Sequence, residues 1–150
     1  MRKIDSSIII RKFEFQTTYL QQLEAHENIS FNDFLADTLL QRAIERLIQL
    51  IADVALDVNR YLFKSLLIKQ PEENAETFIK LGQLKIIDYD LARRLKESGK
   101  MRNLLVHLYE IIEPLFVHSA IKETLADYPL YQRQILNYLD TLENDNGGKF

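Results

Sequence analysis

From Leu40 onward, apolar residues return after four positions and then after three: Leu40, Ile44, Leu47, Ile51, Val54, Val58 and Tyr61. That alternation lays one apolar seam along a helix of about six turns. Ile48, Ala55 and Leu62 broaden the seam, as expected for a helix packed among neighbours in a bundle. Ser30 or Asn32 can cap its start, and Pro71 with the acids after it marks its end and a loop. A second long pattern runs through Ile121, Leu125, Tyr128, Tyr131, Ile135, Leu139 and Leu142. Pro129 falls inside it, so either the helix kinks there or Asp127 caps a new helix with Pro129 in its first turn.

Two shorter helices are predicted between these, about Ala75–Gly82 and Asp88–Glu97, the latter with Asp88 as its cap. Gly99 breaks the pattern, and a further helix is predicted from near Lys100. At the N-terminus Ile9, Phe13, Leu20 and Leu23 fit a helix. Phe13-Glu14-Phe15 alternates like a strand but has no other strand to pair with. Only Gly82 and Gly99 interrupt the body of the chain, which suits an all-α helical bundle. The expected organisation is one domain over residues 1–142, of four to six helices with two long antiparallel ones. The polar, turn-rich segment 143–150 is expected to be a fraying tail.

Composition narrows the function. The 150 residues are 47% hydrophobic and 27% charged, with no cysteine, so a packed core is expected and disulfide, thiol and thiolate-metal chemistry are excluded. No apolar run approaches the ~20 residues of a membrane span, and no secretory leader is apparent. The cytoplasm is the expected location. A di-metal bundle site would need Glu-x-x-His pairs, which are absent. Without a Gly-rich phosphate loop the chain is not expected to bind ATP itself. The net charge is −3, which gives no general footprint for nucleic acid. Its distribution is uneven: Arg93, Arg94, Lys96, Lys100 and Arg102 lie within ten residues that hold one acid, Glu97. These form a local phosphate-binding patch if they converge, or else an ordinary solvated helix face.

The chemistry-bearing segment is Arg102-Asn103-Leu104-Leu105-Val106-His107-Leu108-Tyr109. On a helical wheel Met101, Leu104, Leu105, Leu108, Ile111 and Ile112 form a core side. Arg102, Asn103, Val106, His107, Tyr109 and Glu110 fall on the opposite arc, within roughly 160°. Asn103 and His107 are then neighbours one turn apart. Arg102 and His107 are about 140° apart on that wheel. They meet on one substrate only if the helix start is distorted or if two copies of the helix face each other. RNA carries its own nucleophile, the 2′-hydroxyl. Its cleavage needs proton transfer, which an imidazole supplies near neutral pH, and a fixed positive fork for phosphate, which arginine supplies. Asn103 can orient either group, and no metal is required. The structural alternatives are a salt bridge from Arg102 to Glu110, Glu113 or a partner's acid, an interface hydrogen bond for His107, and cleft packing for Tyr109. His26 and His118 read as incidental.

The string Arg102-x4-His107-x-Tyr109 resembles the Arg-x4-His-x-Tyr motif of the HepT family of HEPN toxins, and Asn103 matches the wider HEPN pattern. The resemblance continues through Arg42-Ala-Ile-Glu-Arg46, Thr77-Phe78, Gly82, Leu91-Ala92 and Gly99, over roughly residues 35–140. It implies a HEPN-type bundle forming a homodimer, with both motifs lining one cleft. It implies a metal-independent ribonuclease toxin, an endonuclease or an end-trimming enzyme acting on mRNA or tRNA, with Arg102 and His107 catalytic. The implied partner is an MNT-type nucleotidyltransferase antitoxin of a type VII-like system. That partner uses ATP and magnesium to attach AMP to Tyr109. AMP adds negative charge and bulk where phosphate must enter, so it would exclude RNA. The alternative within the family is a non-catalytic HEPN module that accompanies a nucleotidyltransferase. The departure is Ile111-Ile112-Glu113-Pro114 after the motif, where Pro114 is expected to end the helix early.

Overall fold

A computed structural model of the chain describes residues 3–107 and 112–147. Among the described residues there are six helices and no strand: α1 (Ser6–Glu24), α2 (Phe31–Ala36), α3 (Thr38–Ser65), α4 (Asn74–Gln83), α5 (Tyr89–Val106) and α6 (Pro114–Gly147). The Phe13-Glu14-Phe15 alternation belongs to α1: Phe13 is buried in the core and Phe15 faces out.

The long seam is α3, and α3 packs against all five other helices. That position explains its burial. Ile44, Ile48, Ile51, Ala55, Val58 and Leu62 are all but fully enclosed, while Leu40, Leu47, Val54 and Tyr61 lie half-buried along one edge. The axis of burial therefore runs closer to the broadening positions than to the four-three seam, because neighbours sit on more than one side. Asp37, rather than Ser30 or Asn32, caps α3, its Oδ1 accepting from Leu40 N–H at 3.0 Å. Ser30 caps the short α2 instead, accepting from Asp33 N–H.

Both α3 and α4 end in the same way. Leu67 and Lys85 take the left-handed conformation, with φ of 58° and 60°. Ile68 N–H then reaches Phe63 C=O at 2.9 Å and Ile86 N–H reaches Leu81 C=O at 3.0 Å. These are Schellman closures built without the usual glycine.

Several readings of the second half are corrected. Gly99 does not break a helix: α5 runs through it from Tyr89 to Val106, so no new helix starts near Lys100. The glycine serves packing, since a Cβ there would stand 3.0 Å from Ala75 Cα on α4. Asp127 caps nothing, because α6 is one helix with Pro129 inside it; its carboxylate accepts from Arg94 Nε at 3.0 Å. Asp88 does precede α5, but its side chain makes no capping bond and pairs with Gln134 of α6 instead. The last helix also continues to Gly147, past Leu142 where the tail was expected.

Tyr131 of α6 is the hub of the core. Its ring meets Phe13 of α1, Phe78 of α4 and Tyr128, with centroids 5.9, 6.0 and 6.1 Å away. Its hydroxyl donates to Ala55 C=O (3.1 Å) and to Asn59 Oδ1 on α3. Asn59 Nδ2 in turn donates to Thr77 Oγ1 at 2.9 Å, and Thr77 Oγ1 to Asn74 C=O at 2.7 Å. Every buried polar side-chain atom among the described residues has a partner, as a well-specified core requires.

Candidate active site at the end of α5

The motif lies on the last turn and a half of α5 and the residues that leave it. Arg102, Asn103 and Leu105 are helical; His107 is the C-cap, with φ −82° and ψ 88°, its N–H bonded to Leu104 C=O at 3.1 Å. The helix expected to run on through His107 ends at Val106. His107 stands where the chain turns off the helix. Pro114 opens α6 rather than closing the previous helix, a position its missing N–H and fixed φ suit. Leu108, Tyr109, Glu110 and Ile111 lie outside the described residues, and the expectations for Tyr109 and Glu110 fall there. Leu105 is buried and Met101 half-buried as expected, whereas Leu104 is exposed.

Arg102 is the best-defined group of the site. Its side chain is 26% exposed, and Nε donates to Asp53 Oδ1 on α3. One terminal nitrogen, NH1, donates to Asn103 Oδ1 at 3.3 Å. That oxygen also accepts from Asn74 Nδ2, the first residue of α4, at 3.1 Å. Asn74 Oδ1 accepts from Arg60 NH2 at 2.9 Å, and Arg60 further bonds Gln70 Oε1 and Pro71 C=O. A continuous polar chain therefore runs from the α3–α4 loop through Asn74 and Asn103 to Arg102 and back to α3 at Asp53.

None of Asp53, Asn74 and Arg60 was singled out from sequence. For Asp53 a signal existed: a carboxylate between Ala52 and Val54, on the flank of the most apolar helix, needs a cation from another element. Among the described residues the acid that pairs with Arg102 is this one, 49 residues away in sequence, and Glu110 lies outside them.

The basic cluster does not form a bare positive patch. Arg93 pairs with Asp90, Arg94 with Asp127 (3.0 Å), Lys96 with Glu76 (3.3 Å) and Lys100 with Glu97 (3.6 Å). Arg94 also leans toward α6, away from Arg93, Lys96 and Lys100. His118 is structural. Its Nε2 donates to Ile29 C=O at 2.7 Å, which fixes the tautomer because a carbonyl can only accept. Its ring packs on Phe31 and Phe34. Among the described residues no three His, Asp or Glu side chains gather as a metal site, and no helix is long and apolar enough to cross a membrane.

A cavity of about 400 Å³ opens beside the motif, between α5 and α6, lined by Met101, Leu104, Ile112, Phe116 and Tyr128 among others. Leu104, Val106, Leu115 and Phe116 are all exposed, Phe116 at 63%. The sequence wheel had placed Leu104 in the core and so missed this apolar rim.

The bundle thus presents an arginine braced at the end of α5 and a histidine on its cap. Comparison with known proteins makes the assignment specific. The family model described as "Ribonuclease HepT-like" matches residues 17–135. The tRNA nuclease HepT of Aphanizomenon flos-aquae is 41% identical over 146 residues, 97% of this chain and 99% of that protein. The chain belongs to the HepT-like ribonuclease family. Two solved structures share its fold: YutE of Bacillus subtilis, a cytosolic protein of unknown function (TM-score 0.80, 18% identity, 94% of each chain), and a tri-AMPylated HEPN toxin of Shewanella oneidensis in complex with its MNT antitoxin (TM-score 0.77, 21% identity, 87% of this chain and 97% of that one).

Proposed function

We propose that this chain is the toxin of a HEPN/MNT pair, a metal-independent ribonuclease that acts on tRNA in the cytoplasm and is silenced by AMP on Tyr109. The observation that carries the reading is the placement of Arg102: half-exposed, held at two of its nitrogens, on the turn that presents His107. In this reading the 2′-oxygen attacks the adjacent phosphorus as an imidazole takes its proton. The bond to the 5′-oxygen breaks as that oxygen is protonated, and Arg102 carries the charge that builds on the phosphoryl oxygens. One imidazole cannot be base and acid in the same step, so a homodimer that brings two His107 side chains to one cleft completes the chemistry. The exposed Leu104, Val106, Leu115 and Phe116 beside the motif suit burial against a second copy.

The tRNA substrate is carried over from the relative named a tRNA nuclease. The partner, a nucleotidyltransferase that consumes ATP and magnesium, is carried over from the neighbour bound to an MNT antitoxin. This chain needs neither cofactor in the scheme. Arg93, Arg94, Lys96 and Lys100 can meet the RNA backbone only by exchanging their present acidic partners.

The test is cleavage of labelled total tRNA in EDTA by protein made without the partner, with intact mass verifying unmodified Tyr109. Wild type should cut while Arg102→Ala and His107→Ala do not. Failure of unmodified wild type on every RNA tried would leave the non-catalytic module.

A further inference from the structure

We infer that Asp53 is a positioning residue for the reaction: it sets the plane of the Arg102 guanidinium so that the fork meets the scissile phosphate. The inference rests on the ribonuclease reading and adds to it a residue from another helix.

A guanidinium carries five N–H donors in one plane, so a bond at Nε and a second at one terminal nitrogen fix that plane completely. Asp53 takes the Nε bond and Asn103 the NH1 bond. The two anchors differ in kind. Asn103 is the next residue along and moves with α5. Asp53 projects from the middle of α3, the helix that contacts every other, next to the enclosed Ala52. The Nε bond therefore refers the guanidinium directly to α3, while Asn103 refers it to α4 only through Asn74. With Nε and NH1 engaged on opposite flanks of the group, the NH2 donors at its tip are the ones assigned to the phosphate. With Asp53 and Arg102 side chains 30% and 26% exposed, water competes for both groups. The pair is thus a poor device for stability but a serviceable one for direction.

Positioning and charge compensation make opposite predictions. Asp53→Asn keeps an acceptor at the same place and removes the charge; Asp53→Glu keeps the charge and displaces the carboxylate by one methylene. For a positioning role, Asp53→Asn should retain kcat within a few-fold, whereas Asp53→Ala and Asp53→Glu lose about 10²-fold, with KM little changed. The ordering Glu active and Asn inactive, or wild-type kcat in Asp53→Ala, would overturn the inference.

A second readout does not depend on activity. The Arg102 Nε–H signal in proton–nitrogen NMR spectra should be shifted and slow to exchange in wild type and Asp53→Asn. It should take the position of a solvated arginine in Asp53→Ala. If wild type cuts no RNA, the ribonuclease reading fails while this spectrum still decides whether Asp53 orients Arg102. An unchanged Nε–H signal in Asp53→Ala would refute the brace itself.

Discussion

Removing the Tyr131 hydroxyl tests the buried polar relay that underlies the site. Tyr131 is fully enclosed, and its OH supplies the hydrogen bond to Asn59 Oδ1, itself in a side chain with no exposure. In Tyr131→Phe the ring contacts remain. What disappears is one net hydrogen bond, worth about 1 kcal/mol, and what is created is a stranded carbonyl oxygen, at a cost of about 1–3 kcal/mol. Ala55 C=O loses less, because a helical carbonyl keeps its own ladder bond. The expected loss is about 2–3 kcal/mol, or a fall in Tm of roughly 4–12 °C for a chain of this size. Urea unfolding should show a lower midpoint at unchanged slope. The control is Asn59→Leu combined with Tyr131→Phe: with both partners apolar, the pair should recover at least 1 kcal/mol relative to the sum of the single variants. A loss below about 0.5 kcal/mol in Tyr131→Phe would mean that the Asn59 amide finds another donor, and the relay would carry no weight.

Gly82→Ala should destabilise by about 1–2 kcal/mol in thermal unfolding, since overpacking outweighs the helix propensity gained. A Cβ there would lie 2.7 Å from Ala92 Cβ, on a helix that cannot yield alone. Lys85→Gly should raise stability by roughly 0.5 kcal/mol, because the left-handed position favours glycine by more than the entropy glycine adds to the unfolded chain. Alkaline titration should find Tyr128 and Tyr131 silent in the native state, since burial pushes both phenols well above their ordinary value. Unfolded tyrosines ionise near pH 10. Stability should therefore be intact below that pH and fall as pH rises beyond it, with phenolate absorbance from these two appearing only on unfolding. RNA affinity should depend weakly on salt, with a log–log slope nearer about −1 than −4, because the α5 cations are already paired; a steep slope would show that those pairs open for RNA.

Periodicity carried the fold because a bundle writes its burial into the sequence every three or four residues, and α3 and α6 are long enough for that signal to dominate. It failed where a tertiary contact, not a local preference, decides the outcome. Gly99 looks like a helix stop and is instead the point where α4 backbone comes close, which depends on Ala75 being opposite. Leu67 and Lys85 end helices in a conformation their side chains disfavour, held there by Ile68 and Ile86 docking behind them. No glycine flags either end.

At the site, the motif singles out Arg102, Asn103 and His107 because those residue types suit the proposed chemistry. What the motif could not contain is the geometry that makes Arg102 directional. That information is split between Asp53 on α3 and Asn74 on α4, and it becomes visible only when α5 is laid against both. The wheel drawn through 101–112 assumed that the helix continues; the turn at His107 breaks that assumption. The helix ends one residue before its histidine, and Pro114 starts α6, a position that its missing N–H and fixed φ suit.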